Sequence, residues 1–113
     1  MVNISKQLIC EVRRYLRISH THLDAEITDL IEAAKADLLL GGIKAAKIED
    51  ENDALIKRAI VCYVKAEFGL DNADAEKYRN SYEMLKRHLQ LSSEYIEEAQ
   101  LCIGEKSELY ARR

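Results

Sequence analysis

Proline is absent from this chain of 113 residues, and only four glycines are present. Few positions therefore interrupt a helix, and the abundance of Ala, Leu, Ile, Glu and Lys favours helices with short connections. Aromatic residues make up only 6% of the chain, with one Phe and no Trp. The composition predicts an all-α domain whose core is mainly aliphatic.

A basic surplus is also lacking, because the formal net charge is −3. Binding to nucleic acid or to an anionic membrane is therefore not expected as the main activity. No stretch approaches the roughly 18 uninterrupted apolar residues of a membrane span, and the amino terminus has no basic segment followed by an apolar run. The three cysteines are far apart and form no C-x-x-C pair. We expect reduced thiols, and assembly in a cytoplasm or in a particle made there.

Residue patterns typical of a catalytic or cofactor site are missing as well. His20 and His22 lie beside Asp24, but no further ligands complete a metal site at usual spacing. Gly41 and Gly42 follow a helical pattern and lack the trailing Lys-Ser or Lys-Thr of a phosphate loop. We expect no enzyme activity, no cofactor and no bound metal.

Apolar residues recur at helical spacing in four segments. The pattern predicts a compact bundle of four main helices at about 5–16, 22–40, 53–68 and 73–91. Ser5, Thr21 and either Asn52 or Asp53 are expected to cap three of these helices, and Asp71 or Asn72 the fourth. Residues 1–91 would form the domain. Residues 92–113 would be an extension, with a possible short fifth helix from Ser92 or Ser93 and a flexible tail.

The third predicted helix is apolar on two sides, so it needs two surfaces to pack against. One side carries Leu55, Ala59 and Tyr63 and suits the domain core. The other side would contact another subunit, unless the first helix or the tail covers it. The predicted partner-contacting residues are Val61, Val64 and Phe68 of this helix, the basic cluster Arg13, Arg14 and Arg17, and Tyr95 and Ile96 of the extension.

Acidic residues are concentrated in the first turns of the second predicted helix, where the helix dipole favours them. An ordinary solvated helix face explains this pattern. The residues concerned are Asp24, Glu26, Asp29 and Glu32.

In order and spacing, four segments resemble the head-tail connector family of tailed phages and prophages. They are EVRRYLRISH, LDAEITDLIEAAKADL, DALIKRAIVCYVKAEFG and DAEKYRNSYEMLKRHLQLSSEY. The resemblance covers about residues 4 to 95. The chain has Ala54 where the family often has proline, which is favourable but not required at the start of a helix.

The resemblance implies a structural protein that completes the phage head after DNA packaging. Such proteins would form a ring of about a dozen copies by head-to-tail contacts. The ring would lie between the portal protein and a stopper or tail protein, and DNA would pass through it without sequence-specific binding. The resemblance also implies an alternative for Asp24, Glu26, Asp29 and Glu32, as a surface that faces this channel. Two other hypotheses remain at this point: a small helix-turn-helix DNA-binding protein, based on Arg13, Arg14 and Arg17, and a helical adaptor of cellular origin.

Overall fold

Five α-helices account for most of the residues that the computed structural model describes, which are residues 4–68 and 73–96. The all-α prediction is confirmed, and four of the helices begin and end within two residues of their predicted bounds. The remaining helix is a single turn in the connection between the second and third predicted helices. The bounds are α1 Lys6–Tyr15, α2 Asp24–Leu40, α3 Ala45–Ile48, α4 Ala54–Glu67 and α5 Ala75–Gln90.

Local capping signals explain where α1 and α4 begin. The Ser5 hydroxyl accepts a hydrogen bond of 3.1 Å from the backbone N–H of Leu8. The Asp53 carboxylate accepts from the backbone N–H groups of Leu55 and Ile56 at 3.0 and 3.1 Å. Both residues satisfy amides that the first helical turn leaves without partners.

The predicted cap at Thr21 is wrong, since α2 begins at Asp24 and Leu23 occupies its N-cap position. Thr21 takes part in a backbone turn instead, in which its carbonyl accepts from the Asp24 N–H at 3.2 Å. For α5, the N-cap position belongs to Asp74, and the predicted caps at Asp71 and Asn72 lie outside the described residues.

The carboxyl ends of α1 and α2 share one hydrogen-bond pattern. After α2, the N–H of Gly42 donates to Leu39 and that of Ile43 to Leu38, and Gly42 has a φ of 98°. This left-handed conformation costs glycine little, which explains why the helix stops there as predicted. After α1, the residue in the equivalent position is Arg17, with a φ of 63°.

Helix α4 lies at the centre and packs against α5, α2 and α1. The side chain of Gln90 donates to the carbonyl of Gly41 at 3.0 Å, which brings the ends of α5 and α2 together. The Ser5 backbone N–H donates to the Glu51 carboxylate at 3.3 Å, which places the start of α1 near the start of α4. These four helix termini lie at the same end of the bundle, which we call the capped end. The opposite end, here called the turn end, contains the end of α1 and the start of α2.

Residues 92–96 complete the core, and the helix predicted from Ser92 is wrong for these five positions. Ile96 forms an antiparallel bridge with Ile43, and the backbone N–H of Lys44 donates to the carbonyl of Tyr95 at 2.7 Å. The hydroxyl of Tyr95 also donates to the carboxylate of Asp53 at 2.9 Å. These long-range partners favour a turn at residues 93–95 and a single bridge at Ile96 over a helix. The rest of the predicted extension, residues 97–113, lies outside the described residues.

Candidate protein interface

The two sides of α4 have different roles. Its core side contains Ile56, Ile60 and Val64, which are almost completely buried. About 100 to 200° around the helix from Ile56 lie Lys57, Arg58 and Val61, since each residue advances the helix by about 100°. These last three line a groove that is open to solvent.

This groove has a volume of about 520 Å³ and runs along α4 from its start toward Lys65, with Tyr15 of α1 and Tyr78 of α5 also among its lining residues. Its floor is apolar, with Val61 8% exposed and Cys62 7% exposed. Basic and aromatic side chains form its walls. We call it the basic groove, and its lining residues are Tyr15, Asn52, Ala54, Lys57, Arg58, Val61, Cys62, Lys65 and Tyr78.

Two smaller depressions of about 330 and 270 Å³ extend the basic groove toward the turn end, and both share Tyr15 and Lys65 with it. They add Arg14, Arg17 and Phe68 to the surface. Four residues predicted to contact a partner, Arg14, Arg17, Val61 and Phe68, thus lie on one continuous surface.

The charge of the basic groove is predominantly positive. Arg14, Arg17, Lys57, Arg58 and Lys65 line it or its extensions, and Asp74 is the one acidic residue among the described lining residues. Burial raises the pKa of the Cys62 thiol, although Arg58 and Lys65 oppose that shift. The Cys62 thiol on the floor of the groove is therefore uncharged at neutral pH, although cations lie around it.

Ion pairs and ring contacts hold two of the cations in place. The ammonium of Lys57 lies 3.0 Å from the carboxylate of Glu11 on α1, and its hydrogen bond lowers the pKa of Glu11. The Lys65 ammonium lies 4.9 Å from the centre of the Tyr78 ring. Lys57 thus already has a carboxylate partner within the subunit, whereas Lys65 is positioned by a ring contact.

Four of the predicted partner-contacting residues do not belong to this surface. Val64 has no exposed surface, and Tyr95 and Ile96 also pack in the core of the subunit itself. Predicting Val64 to be a contact to a neighbouring subunit was therefore wrong, because α1, α2 and α5 together bury a wider arc of α4 than one apolar stripe requires. Arg13 is half-buried, and its guanidinium pairs with Asp24 at 3.1 Å.

The acidic residues of α2 are divided among different environments. Asp24 pairs with Arg13, and Glu32 lies beside a small apolar notch between α2 and α3. Glu26 and Asp29 are exposed. They lie on the side of α2 that faces away from the core residues Ile27 and Ile31.

Comparison with known protein families assigns this sequence to a family. The model of the family described as phage connector protein matches residues 8–96, which include all five helices except the first two residues of α1. The chain belongs to the phage connector protein family. No curated protein and no solved structure matches the chain significantly.

Membership of the phage connector family gives the protein a structural connector role and a place in the virion. Association with other head or tail proteins, and with copies of itself, follows in general terms. The family is a structural family and not an enzyme family. Within the described part of the connector, no helix is both long and apolar enough to cross a membrane.

A helix-turn-helix arrangement of α1 and α2 does not match the connector structure. Residues 16–23 join the two helices, whereas the turn of that motif has about three to four residues. Arg13, one of the three arginines on which the DNA-binding hypothesis depended, is paired within the subunit.

Sequence reasoning missed several lining residues of the basic groove, among them Tyr15, Arg58 and Tyr78. They belong to three helices, and no local spacing links them. The one available signal was that Lys57, Arg58 and Lys65 flank Val61 in the central helix. Sequence reasoning also missed Lys35, which is only 2% exposed and whose ammonium lies 3.6 Å from Glu49.

Proposed function

We propose that this protein is a non-enzymatic subunit of the phage head-tail connector. It forms a ring between the portal protein and a stopper or tail protein, and it completes the head after DNA packaging. Family membership supports this assignment. The ring assembles in the host bacterial cytoplasm and becomes part of the virion.

The proposal of a ring is supported mainly by the observation that the subunit has two unlike surfaces. One is the basic groove across α4, and the other is the exposed acidic face of α2 with Glu26 and Asp29. Head-to-tail rings require two different, complementary surfaces on each copy, whereas a two-fold dimer uses the same surface twice. A subunit of this kind suits a closed ring, and the proposed number of about a dozen copies follows from the resemblance to the connector family.

The proposed ring has a direct test. The mass of the purified protein would be measured by native mass spectrometry and sedimentation, alone and mixed with the portal protein of the same phage. We expect a closed multimer in at least one of the two conditions. A monomer in both, with no binding to the portal protein, would contradict the proposal.

DNA binding by the free protein is the matched control. Because DNA only passes through the ring, association with duplex DNA should be weak and should not depend on sequence. Tight, sequence-dependent binding that weakens steeply with salt would instead support a DNA-binding regulator or packaging subunit.

A further inference from the structure

We infer that the basic groove of one subunit receives the outer face of α2 from the next copy in the ring. This inference rests on the proposed ring and identifies the two surfaces that form its interface. The outer face is defined by four exposed residues, Ala25, Glu26, Asp29 and Ala36.

The two surfaces lie on opposite sides of the subunit. The buried residues Ile27, Ile31 and Leu38 of α2 face the core that α4 completes with Ile56 and Ile60. The outer face of α2 lies on the other side of that helix, and the basic groove lies on the side of α4 away from the core. A copy on each side can therefore be contacted at the same time, as a ring requires.

Both surfaces reach the turn end of the bundle, at Arg14 and Arg17 on one side and at Glu26 and Asp29 on the other. The pair between Arg13 and Asp24 joins the end of α1 to the start of α2. Arg14 and Arg17 are therefore at the same height along the bundle as Glu26 and Asp29. Rotation about the ring axis leaves the position of a copy along that axis unchanged. Two surfaces that contact each other in a closed ring must therefore lie at the same position along the axis. This condition holds when the bundle stands along the ring axis.

The charges of the two surfaces are complementary. The outer face of α2 presents Glu26 and Asp29, while the groove and its extensions present Arg14, Arg17 and Arg58, all exposed. Ala25 and Ala36 have short side chains, so the helix can approach the apolar floor at Val61 closely. Charge attraction then sets which surfaces meet, and the apolar floor is covered.

DNA is the other anionic occupant that a basic groove suits. A second copy is favoured because the subunit itself carries the matching acidic face and has a net charge of −3. The inference also places Glu26 and Asp29 at the interface between subunits and not on the channel surface.

Charge reversal on each surface provides the test. The groove variant carries Arg14→Glu and Arg58→Glu, and the helix variant carries Glu26→Lys and Asp29→Lys. Each variant alone brings like charges together at every contact, so we expect ring formation to weaken at least tenfold. An equal mixture should assemble again, because each contact then joins opposite charges in an alternating ring. The chain with all four changes should also assemble.

The control reverses Lys6 and Arg87, which are exposed near the capped end, and should assemble like the wild type. Circular dichroism and thermal melting would check that every variant folds. Sedimentation with and without the portal protein would measure assembly.

Several outcomes would overturn the inference. If the wild type forms rings and both variants do as well, the interface lies elsewhere and the proposed function stands. If mixing or combining the changes restores nothing, the two surfaces do not meet. Loss of DNA association in the groove variant alone would identify nucleic acid as the occupant. Altered DNA passage with normal rings in the helix variant would place Glu26 and Asp29 in the channel. If the wild type never assembles, the proposed function fails together with the inference.

Discussion

Asp37 on α2 accepts hydrogen bonds from Tyr82 and Lys86 on α5 and so links the two helices. The hydroxyl of Tyr82 donates to its carboxylate at 2.5 Å, and the Lys86 ammonium lies 2.9 Å from the same oxygen. Burial opposes ionisation of Asp37, but the hydrogen bonds from Tyr82 and Lys86 outweigh it and lower its pKa. Burial first, and then Asp37, raise the pKa of Tyr82 well above its usual range.

Replacing Tyr82 with Phe removes only the hydroxyl of this buried residue. We expect the free energy of unfolding to fall by about 1.5 kcal/mol at neutral pH, as for a hydrogen bond to a charged group. Urea unfolding would measure the change. Tyr78→Phe is the control, since Tyr78 is only half-buried, and its effect should stay below about 0.5 kcal/mol.

The pH dependence of this effect has a definite sign. Because the Tyr82 pKa is raised, its contribution is complete below about pH 10 and is lost as the pH rises further. Because the Asp37 pKa is lowered from 3.8, its contribution is present above that pH and is lost as the pH falls below it. The difference between wild type and Tyr82→Phe should therefore be largest between these limits. A difference that stays constant up to about pH 12 would contradict this assignment.

Arg17 is the one residue other than glycine with a positive φ among the described residues. Its N–H donates to Arg14 and that of Ile18 to Arg13, the same pattern that places Gly42 after α2. A left-handed conformation costs an L-residue roughly 1–2 kcal/mol, so glycine would suit position 17 better. Local strain at a surface residue is typical of functional positions.

Arg17→Gly should therefore separate stability from function. We expect the free energy of unfolding to stay unchanged or to rise by up to about 1 kcal/mol, because the strain is relieved. Ring assembly should weaken, since the groove loses a cation. Melting temperature and sedimentation would be measured on the same sample. A clear loss of stability would show that the Arg17 side chain serves the fold.

At the scale of elements, residues 92–96 pack as part of the domain. Tyr95 is tied to Asp53, the cap of α4, and burial together with this hydrogen bond raises the pKa of Tyr95 to about 12. Lys47 adds an ion pair with Glu94 at 3.3 Å. We therefore propose that the domain extends to Ile96 and not only to the predicted boundary at residue 91.

Truncation tests this boundary. A chain that ends at residue 91 should melt several degrees lower than one that ends at residue 96, because it exposes the core around Ile43 and leaves Asp53 without Tyr95. Equal melting temperatures for the two chains would restore the boundary at residue 91.

Local patterns predicted the helices well because their signals lie within a few residues of one another. Ser5 and Asp53 cap their own helices, and Gly42 ends α2, so the sequence around each is sufficient. The orientation of α4 was predicted less well. Leu55 was assigned to the core and is 43% exposed, while Val64 was assigned to a partner and is buried. Which apolar residues face inward depends on how three other helices pack around α4, and local spacing does not encode that.

At the scale of the whole molecule, the connector subunit carries charge of opposite sign on opposite sides. A ring built from these surfaces should weaken with salt, because screening shortens the reach of each charge from about 10 Å at 0.1 M to about 3 Å at 1 M. Sedimentation across this range should show smaller assemblies at high salt. Assembly that strengthens with salt would indicate a mainly apolar interface instead.

The reactivity of Cys62, at the floor of the basic groove, can show whether the groove is covered. Its thiol is nearly buried and its pKa is raised, so alkylating reagents should modify it slowly, whereas the exposed Cys10 should react faster. When a neighbouring helix covers the groove, alkylation of Cys62 should slow further while that of Cys10 stays the same. Peptide mass spectrometry would follow both rates, and an unchanged Cys62 rate in assembled rings would mean that the groove is empty. The residue can thus record occupancy of the groove inside an intact virion without any engineered label.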